Sequence, residues 1–223
     1  MGKVVFLKKE VKEIFKTHKI IVLPAIFLLL GLFSPLSARY TKDILKEMLK
    51  SYGNISDIIP DPRYTDSYAQ LFKNITQMAL IVIILVFMST VVDEKVKGSI
   101  VLIMTKPVSR AKFILSKFAA GSLLVTAAYT LSVFSCIYYT YILFGRFYHE
   151  NLLISVVSLW LYCILILAIT VFASVISKSH VASAVYSFIS FLAISSISLI
   201  PRIGDYTPGK LGGIGTALLS GSA

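Results

Sequence analysis

Leu152–Ser177 reads LLISVVSLWLYCILILAITVFASVIS, 26 residues without one Asp, Glu, Lys or Arg. A hydrocarbon layer of about 30 Å is crossed by roughly 20 apolar residues in a helix. This segment is long enough, and it has company. Ile20–Ser37, Ile75–Val92, Phe118–Phe144 and Val181–Ile200 are likewise apolar and free of acidic and basic residues. The whole chain of 223 residues follows the same trend, being 57% hydrophobic and 15% charged, with mean hydropathy +0.82. Soluble domains carry about 25% charged residues. Disorder is excluded by the wealth of Ile, Leu, Val and aromatics. The fold class read from these runs is an all-α integral membrane protein, a helical bundle with five transmembrane helices. Carriers driven by protons or sodium place an ionisable group inside the membrane, and these five runs offer none.

The net charge of +11 is sorted along the chain. Before the first span, six lysines against Glu10 and Glu13 leave +4, and residues 93–117 also leave +4. Lys178 follows the fourth span. Residues 38–70 balance five basic with five acidic groups, and Arg146 is balanced by Glu150. Excess positive charge on alternate loops marks the cytoplasmic face, so the N-terminus is expected inside and the C-terminus outside. The basic excess is thereby accounted for by membrane orientation, and no nucleic-acid partner is expected.

Within the leader, Val4, Leu7, Val11 and Ile14 recur at helical spacing with lysines between them. Residues 1–19 therefore read as a cytoplasmic amphipathic helix in the headgroup layer, attracted to anionic lipid. The competing reading is a cleaved signal peptide with Leu36-Ser37-Ala38 as processing site, for which this charged leader is long. The transmembrane domain is read as residues 20–201. On the outer side, Ile44, Leu45, Met48 and Leu49 predict a second interfacial helix, ended near Gly53-Asn54, with Pro60-Asp61-Pro62 forcing an extended turn. Residues 202–223 read as an outer Gly-rich tail.

Catalytic and nucleotide motifs are missing. There is no H-E-x-x-H, G-x-S-x-G or G-x-x-x-x-G-K-[ST], and His18, His149 and His180 are scattered. Cys136 and Cys163 read as buried free thiols acting as small apolar residues. Ser183, Ser187, Ser190, Ser195 and Ser198 run along the fifth span. Close packing of small residues explains such a stripe; a polar substrate path is the sharper alternative.

One inner segment carries a functional signal. Residues 91–117 read VVDEKVKGSIVLIMTKPVSRAKFILSK. Ser99, Ile100, Leu102 and Ile103 form a short amphipathic helix, widened by Val101 and Met104 and stopped by Lys106-Pro107. It is too short to cross the membrane and too apolar for water, as expected of a helix that docks on a partner. The bland alternative is a helix resting on lipid headgroups.

The amphipathic KKEVKEIFKTHK, the first span ending in SPLSARY, Glu94 with Gly98, and the turn Lys106, Pro107, Val108, Ser109, Arg110 followed by Lys117 together resemble the ABC-2 type transporter permeases. The resemblance covers the chain to about residue 210. It implies the transmembrane permease subunit of an ATP-driven ABC transporter, an exporter. A separate ABC ATPase subunit would bind and hydrolyse ATP, so this chain is expected to be no enzyme and to hold no cofactor or metal. Membrane lipid and a second permease, in a homodimer or heterodimer, are the other implied partners, and the cell membrane is the implied location. The loop between the second and third spans becomes a cytoplasmic coupling helix. ATPase coupling is thereby assigned to Glu94, Gly98, Ile100, Ile103, Lys106, Pro107, Ser109 and Arg110, with Gly98 admitting close backbone approach to the partner. Members of that family normally have six spans, whereas five are read here, with the Gly-rich tail standing where the loop before a sixth would begin. The rival from another class is a non-transporting membrane scaffold that recruits a cytosolic partner through the same loop. A membrane enzyme with an unrecognised site is the third reading.

Overall fold

The computed structural model describes residues 9–10, 12–13, 17–49, 61–96, 98, 109–198, 200 and 204–220, all of them in helices, turns or short connections. Among the described residues, beyond the helical residues 9–10 and 12–13, eight α-helices follow in order: α1 (Lys19–Leu49), α2 (Tyr64–Asn74), α3 (Leu80–Phe87), α4 (Val92–Val96), α5 (Arg110–Phe144), α6 (Leu152–Ile176), α7 (His180–Ile197) and α8 (Leu211–Ser220). A π-helical turn, Ile75–Ala79, joins α2 to α3. Five stretches are long and apolar enough to cross a membrane: Lys19–Ile44, Tyr64–Val96, Arg110–Phe144, Leu152–Ile176 and His180–Ile197. The chain is an all-α bundle with five such helices.

The first three crossing helices extend well past the apolar runs read from sequence, α5 by starting at Arg110 rather than Phe118. The expected outer interfacial helix is the continuation of α1, which runs unbroken to Leu49. No Gly or Pro separates Leu36 from Tyr52, so nothing stops the helix once it leaves the apolar layer. The second crossing begins at Tyr64 rather than Ile75, because the Arg63 backbone N–H donates to the Asp66 carboxylate at 2.7 Å and starts the helix among polar residues. As a result, Asp66 and Lys73 belong to a membrane-crossing helix, although the apolar run itself contains no charge.

Packing centres on α3 and α6, which touch each other, while α1 lies along α5 and α2. Leu23 and Phe27 of α1, Leu71 and Phe72 of α2, Ile83 and Ile84 of α3, Val125 of α5 and Ile166 of α6 share one core. Lipid tails are as apolar as these side chains, so close fit and interhelical hydrogen bonds must hold the helices together. The Tyr68 hydroxyl donates to the Phe147 carbonyl at 2.6 Å and the Tyr129 hydroxyl to the Val156 carbonyl at 2.7 Å. The Trp160 indole N–H donates to Thr126 Oγ1 at 3.0 Å. Ser183 and Ser187 are buried on α7, which packs chiefly on α6. Cys136 and Cys163 are free and buried.

The Gly-rich tail is itself structured. Helix α8 packs on α6 and α2, and its glycines make the fit: a Cβ on Gly212 would come 2.9 Å from the Tyr162 ring, and one on Gly215 would come 2.8 Å from Phe72. Since Gly212 lies by Tyr162 and Gly215 by Ser155, α8 runs antiparallel to the first half of α6.

Candidate functional site: the buried ion cluster at one end of the bundle

The second crossing does not end cleanly. After α3 the backbone makes a turn over residues 88–91 before α4 begins, and the turn is held from outside. Ser174, near the end of α6, accepts hydrogen bonds on Oγ from the N–H groups of Val91 at 2.9 Å and Val92 at 3.2 Å. Lys95 reaches the other way. Its ammonium donates to the Ser177 carbonyl at 3.0 Å and to the Val175 carbonyl, satisfying the last acceptors of α6. His180, at the start of α7, stands 3.5 Å from the Asp93 carboxylate. Helix α4 is thus fastened between the ends of α6 and α7.

On the other side of α4 lies a buried ionic cluster. Lys117 of α5 is 4% exposed, and its Nζ sits 2.8 Å from Glu94 Oε1 and 2.9 Å from Glu10 Oε2. Lys9, half exposed, is 3.9 Å from a carboxylate oxygen of each glutamate. Lys9, Glu10, Lys12 and Glu13 are helical where they meet the cluster. Glu10, Glu13 and Glu94 bring carboxylate oxygens within 4.8 Å of one another, a spacing compatible with a cation. The Lys117 ammonium already contacts two of the three carboxylates, so the cluster carries its own cation.

Burial pushes the Glu10 carboxyl above its ordinary value of 4.5, and the attraction of Lys117 offsets only part of that. A carboxyl raised in the folded state takes up its proton there first. Ionised Glu10 therefore costs stability at neutral pH, and the cost fades as pH falls through the raised value toward 4.5. Glu10→Gln, whose carbonyl oxygen still accepts from Lys117, is expected to match or exceed the wild-type thermal midpoint at about pH 7. The difference should shrink as pH falls and vanish only below about pH 4.5. Glu10→Ala, which lacks the acceptor, should lower the midpoint at both. A Gln variant clearly less stable than wild type at neutral pH would contradict this balance.

Of the residues assigned to coupling, Glu94 faces the bundle, buried against Lys117, and not a docking surface. Gly98 ends α4 in a left-handed conformation, φ 69°, with its N–H donating to the Lys95 carbonyl at 3.1 Å. A Cβ there would meet nothing within 4 Å. The backbone conformation, which L side chains disfavour, is by itself a reason for glycine at this position. Ser109 caps α5, accepting from the Lys112 N–H, and Arg110 begins that helix exposed. Ile100, Ile103, Lys106 and Pro107 lie outside the described residues.

Glu10 and Lys117 were not singled out by sequence, yet each leaves a trace there. Glu10 stands between Leu7 and Ile14 on the apolar stripe of the leader, and Lys117 is one turn from Phe113 and Gly121 on the buried face of α5. A charge on a buried stripe is a request for a partner.

A second polar feature occupies the other end of the bundle. Asp66, Gln70, Lys73 and Gln77 recur along one face of the second crossing, and with Thr76 and Thr216 they line a cavity of about 460 Å³ between α2 and α8. Lys73 and Gln77 are exposed.

Five helices long and apolar enough to cross a membrane mark a multi-pass membrane protein. The family model of ABC-2 family transporter proteins matches residues 4–201, and the chain belongs to that family. It is a membrane permease subunit of an ABC transporter and not itself the catalytic one; family members normally partner with an ABC ATPase subunit. The chain is also 24% identical over 214 residues to the uncharacterized transmembrane protein YxlG of Bacillus subtilis (strain 168), covering 92% of this chain and 80% of that protein.

Proposed function

We propose that this permease is the membrane half of an exporter, driven by a separate ATPase that docks on the cytoplasmic loop of residues 93–117. The observation that carries the reading is the fastening of that loop at its base: Glu94 on one side of it and Lys117 on the other meet at 2.8 Å. A partner pushing on a loop so anchored moves α4 and α5, not merely the loop. The +4 charge of both leader and loop supports a cytoplasmic N-terminus in the cell membrane. The polar cavity beside α2 favours transport over scaffolding, because polar side chains on membrane-crossing helices face cavities or partners and mark substrate paths. Two permeases, identical or related, would complete the transporter, with ATP bound on the partner ATPase.

The reading is tested with Ile103→Asp. An isoleucine seated in a partner groove contributes roughly 1.5–3 kcal/mol by burial, so recovery of the ATPase at matched membrane expression should fall by about tenfold or more. Equal recovery refutes the docking assignment and leaves the helix on lipid, or the chain as a scaffold for another partner. Orientation is tested by labelling Ser51→Cys and Ser109→Cys in intact cells. Only the first should react from outside, and equal labelling of both would overturn the topology.

A further inference from the structure

We propose that Lys117 is a positioning residue for coupling, because the ion cluster it forms with Glu94 and Glu10 makes the leader helix and the loop base move as one body. The inference rests on the ATPase-docking reading above but concerns a different event, transmission rather than binding.

The cluster joins three stretches far apart in sequence. Lys117 and Glu10 are separated by 107 positions, and Glu94 stands at the end of the second crossing. Lys117 is the one described cation within hydrogen-bonding distance of both carboxylates, with Lys9 farther off at 3.9 Å, and its side chain is 3% exposed against 5% for Glu10 and 9% for Glu94. At such burial, solvent does not replace a lost partner. Removing one member of a buried pair leaves an uncompensated charge, far costlier than losing an exposed pair. Only the longer, half-exposed pairs from Lys9, at 3.9 Å from each glutamate, would then remain.

The surroundings explain why this pairing can transmit displacement. Helix α4 is fixed to α6 through Ser174 and Lys95, and its Asp93 stands beside His180 of α7. The leader is tied to this assembly most closely through Glu10 at 2.9 Å, with the longer Lys9–Glu94 pair at 3.9 Å beside it and Lys19 donating to Ser89 at 3.2 Å where α1 begins. A displacement at the loop therefore reaches the leader through Lys117, and the first span follows from the leader at Lys19.

Spin labels on Lys12→Cys and Lys112→Cys, both exposed positions, report the leader-to-loop distance in the full chain; the native Cys136 and Cys163 are buried. A fluorophore on Lys12→Cys reports movement of the leader when ATP is added to the complex with the co-purified ATPase. Wild type and Lys117→Arg should give a narrow distance distribution and an ATP-dependent signal. Lys117→Met should broaden the distribution and cut the signal by about fivefold or more, while recovering as much ATPase as wild type. If Lys117→Met does not accumulate, Lys117→Gln replaces it, with the same expectation. A narrow distribution in the uncharged variant overturns the clamp, and a broad one with an undiminished signal overturns its role in transmission. If wild type recovers no ATPase, the docking reading and the transmission role fall together, while the distance distributions still decide whether the clamp exists.

Discussion

Gly31→Leu is expected to prevent accumulation of folded protein in the membrane. Gly31 lies where α1 crosses α5, and a Cβ added there would stand 2.4 Å from the Ser132 carbonyl oxygen and 3.0 Å from its C and Cα. These are backbone atoms of a continuous 35-residue helix, which cannot rotate aside as a side chain does. The α1–α5 contact is also the broadest in the bundle, so a shift here propagates along both helices. Overpacking of well-fitted interiors costs typically about 1–3 kcal/mol, and Gly31→Ala alone should reach that range. Leucine adds three more carbons in the same place. Pro35 compounds the sensitivity, since its missing N–H removes the helix partner of the Gly31 carbonyl and leaves this turn weakly held. The measurement is monodisperse recovery from membranes and the thermal midpoint, with Gly213→Ala as control, where an added Cβ meets nothing within 4 Å. Equal midpoints for Gly31→Ala and Gly213→Ala would show that the two helices do not approach as described.

The second large effect is expected at Ser174. Its side chain is fully buried, and its Oγ accepts the N–H groups of Val91 and Val92, themselves buried. Ser174→Ala removes the acceptor and leaves both donors without it, at roughly 1–3 kcal/mol for each orphaned group. Because the loss falls on the turn between α3 and α4, it should act locally: peptides covering residues 88–96 should exchange amide hydrogens about tenfold faster or more. Ser177→Ala is the companion variant. That hydroxyl donates to the Ala173 carbonyl, which also accepts the Ser177 N–H, so less should be lost. Unchanged exchange in Ser174→Ala would mean that α4 is held by Lys95 and by the Glu94 and Asp93 ion pairs without help from Ser174.

These sites differ in how visible they are in sequence. The runs that cross the membrane stand out because hydropathy belongs to each residue by itself and sums along a window, as in Leu152–Ser177. Helix boundaries are less visible for the same reason. Asp66, Gln70 and Lys73 lowered the average and hid the first turns of the second crossing, although Arg63 and Asp66 start it well. Gly98 was noticed for close approach, and the structure adds a local reason: a left-handed φ is a backbone property that a sequence motif does not distinguish from close packing.

What the sequence determined by itself is the all-α membrane-spanning class, with five crossings and membership of a transporter family, because length, polarity and motif are written in consecutive residues. What only the tertiary structure decided is which polar groups meet: Glu10 and Glu94 on Lys117, the Val91 and Val92 amides on Ser174, and the glycines of α8 against Tyr162 and Phe72. Each pairing spans dozens of positions, and a burial pattern says only that a charge or amide needs a partner. Which partner it finds depends on how helices pack and rotate against one another, a property of the bundle and of no single segment.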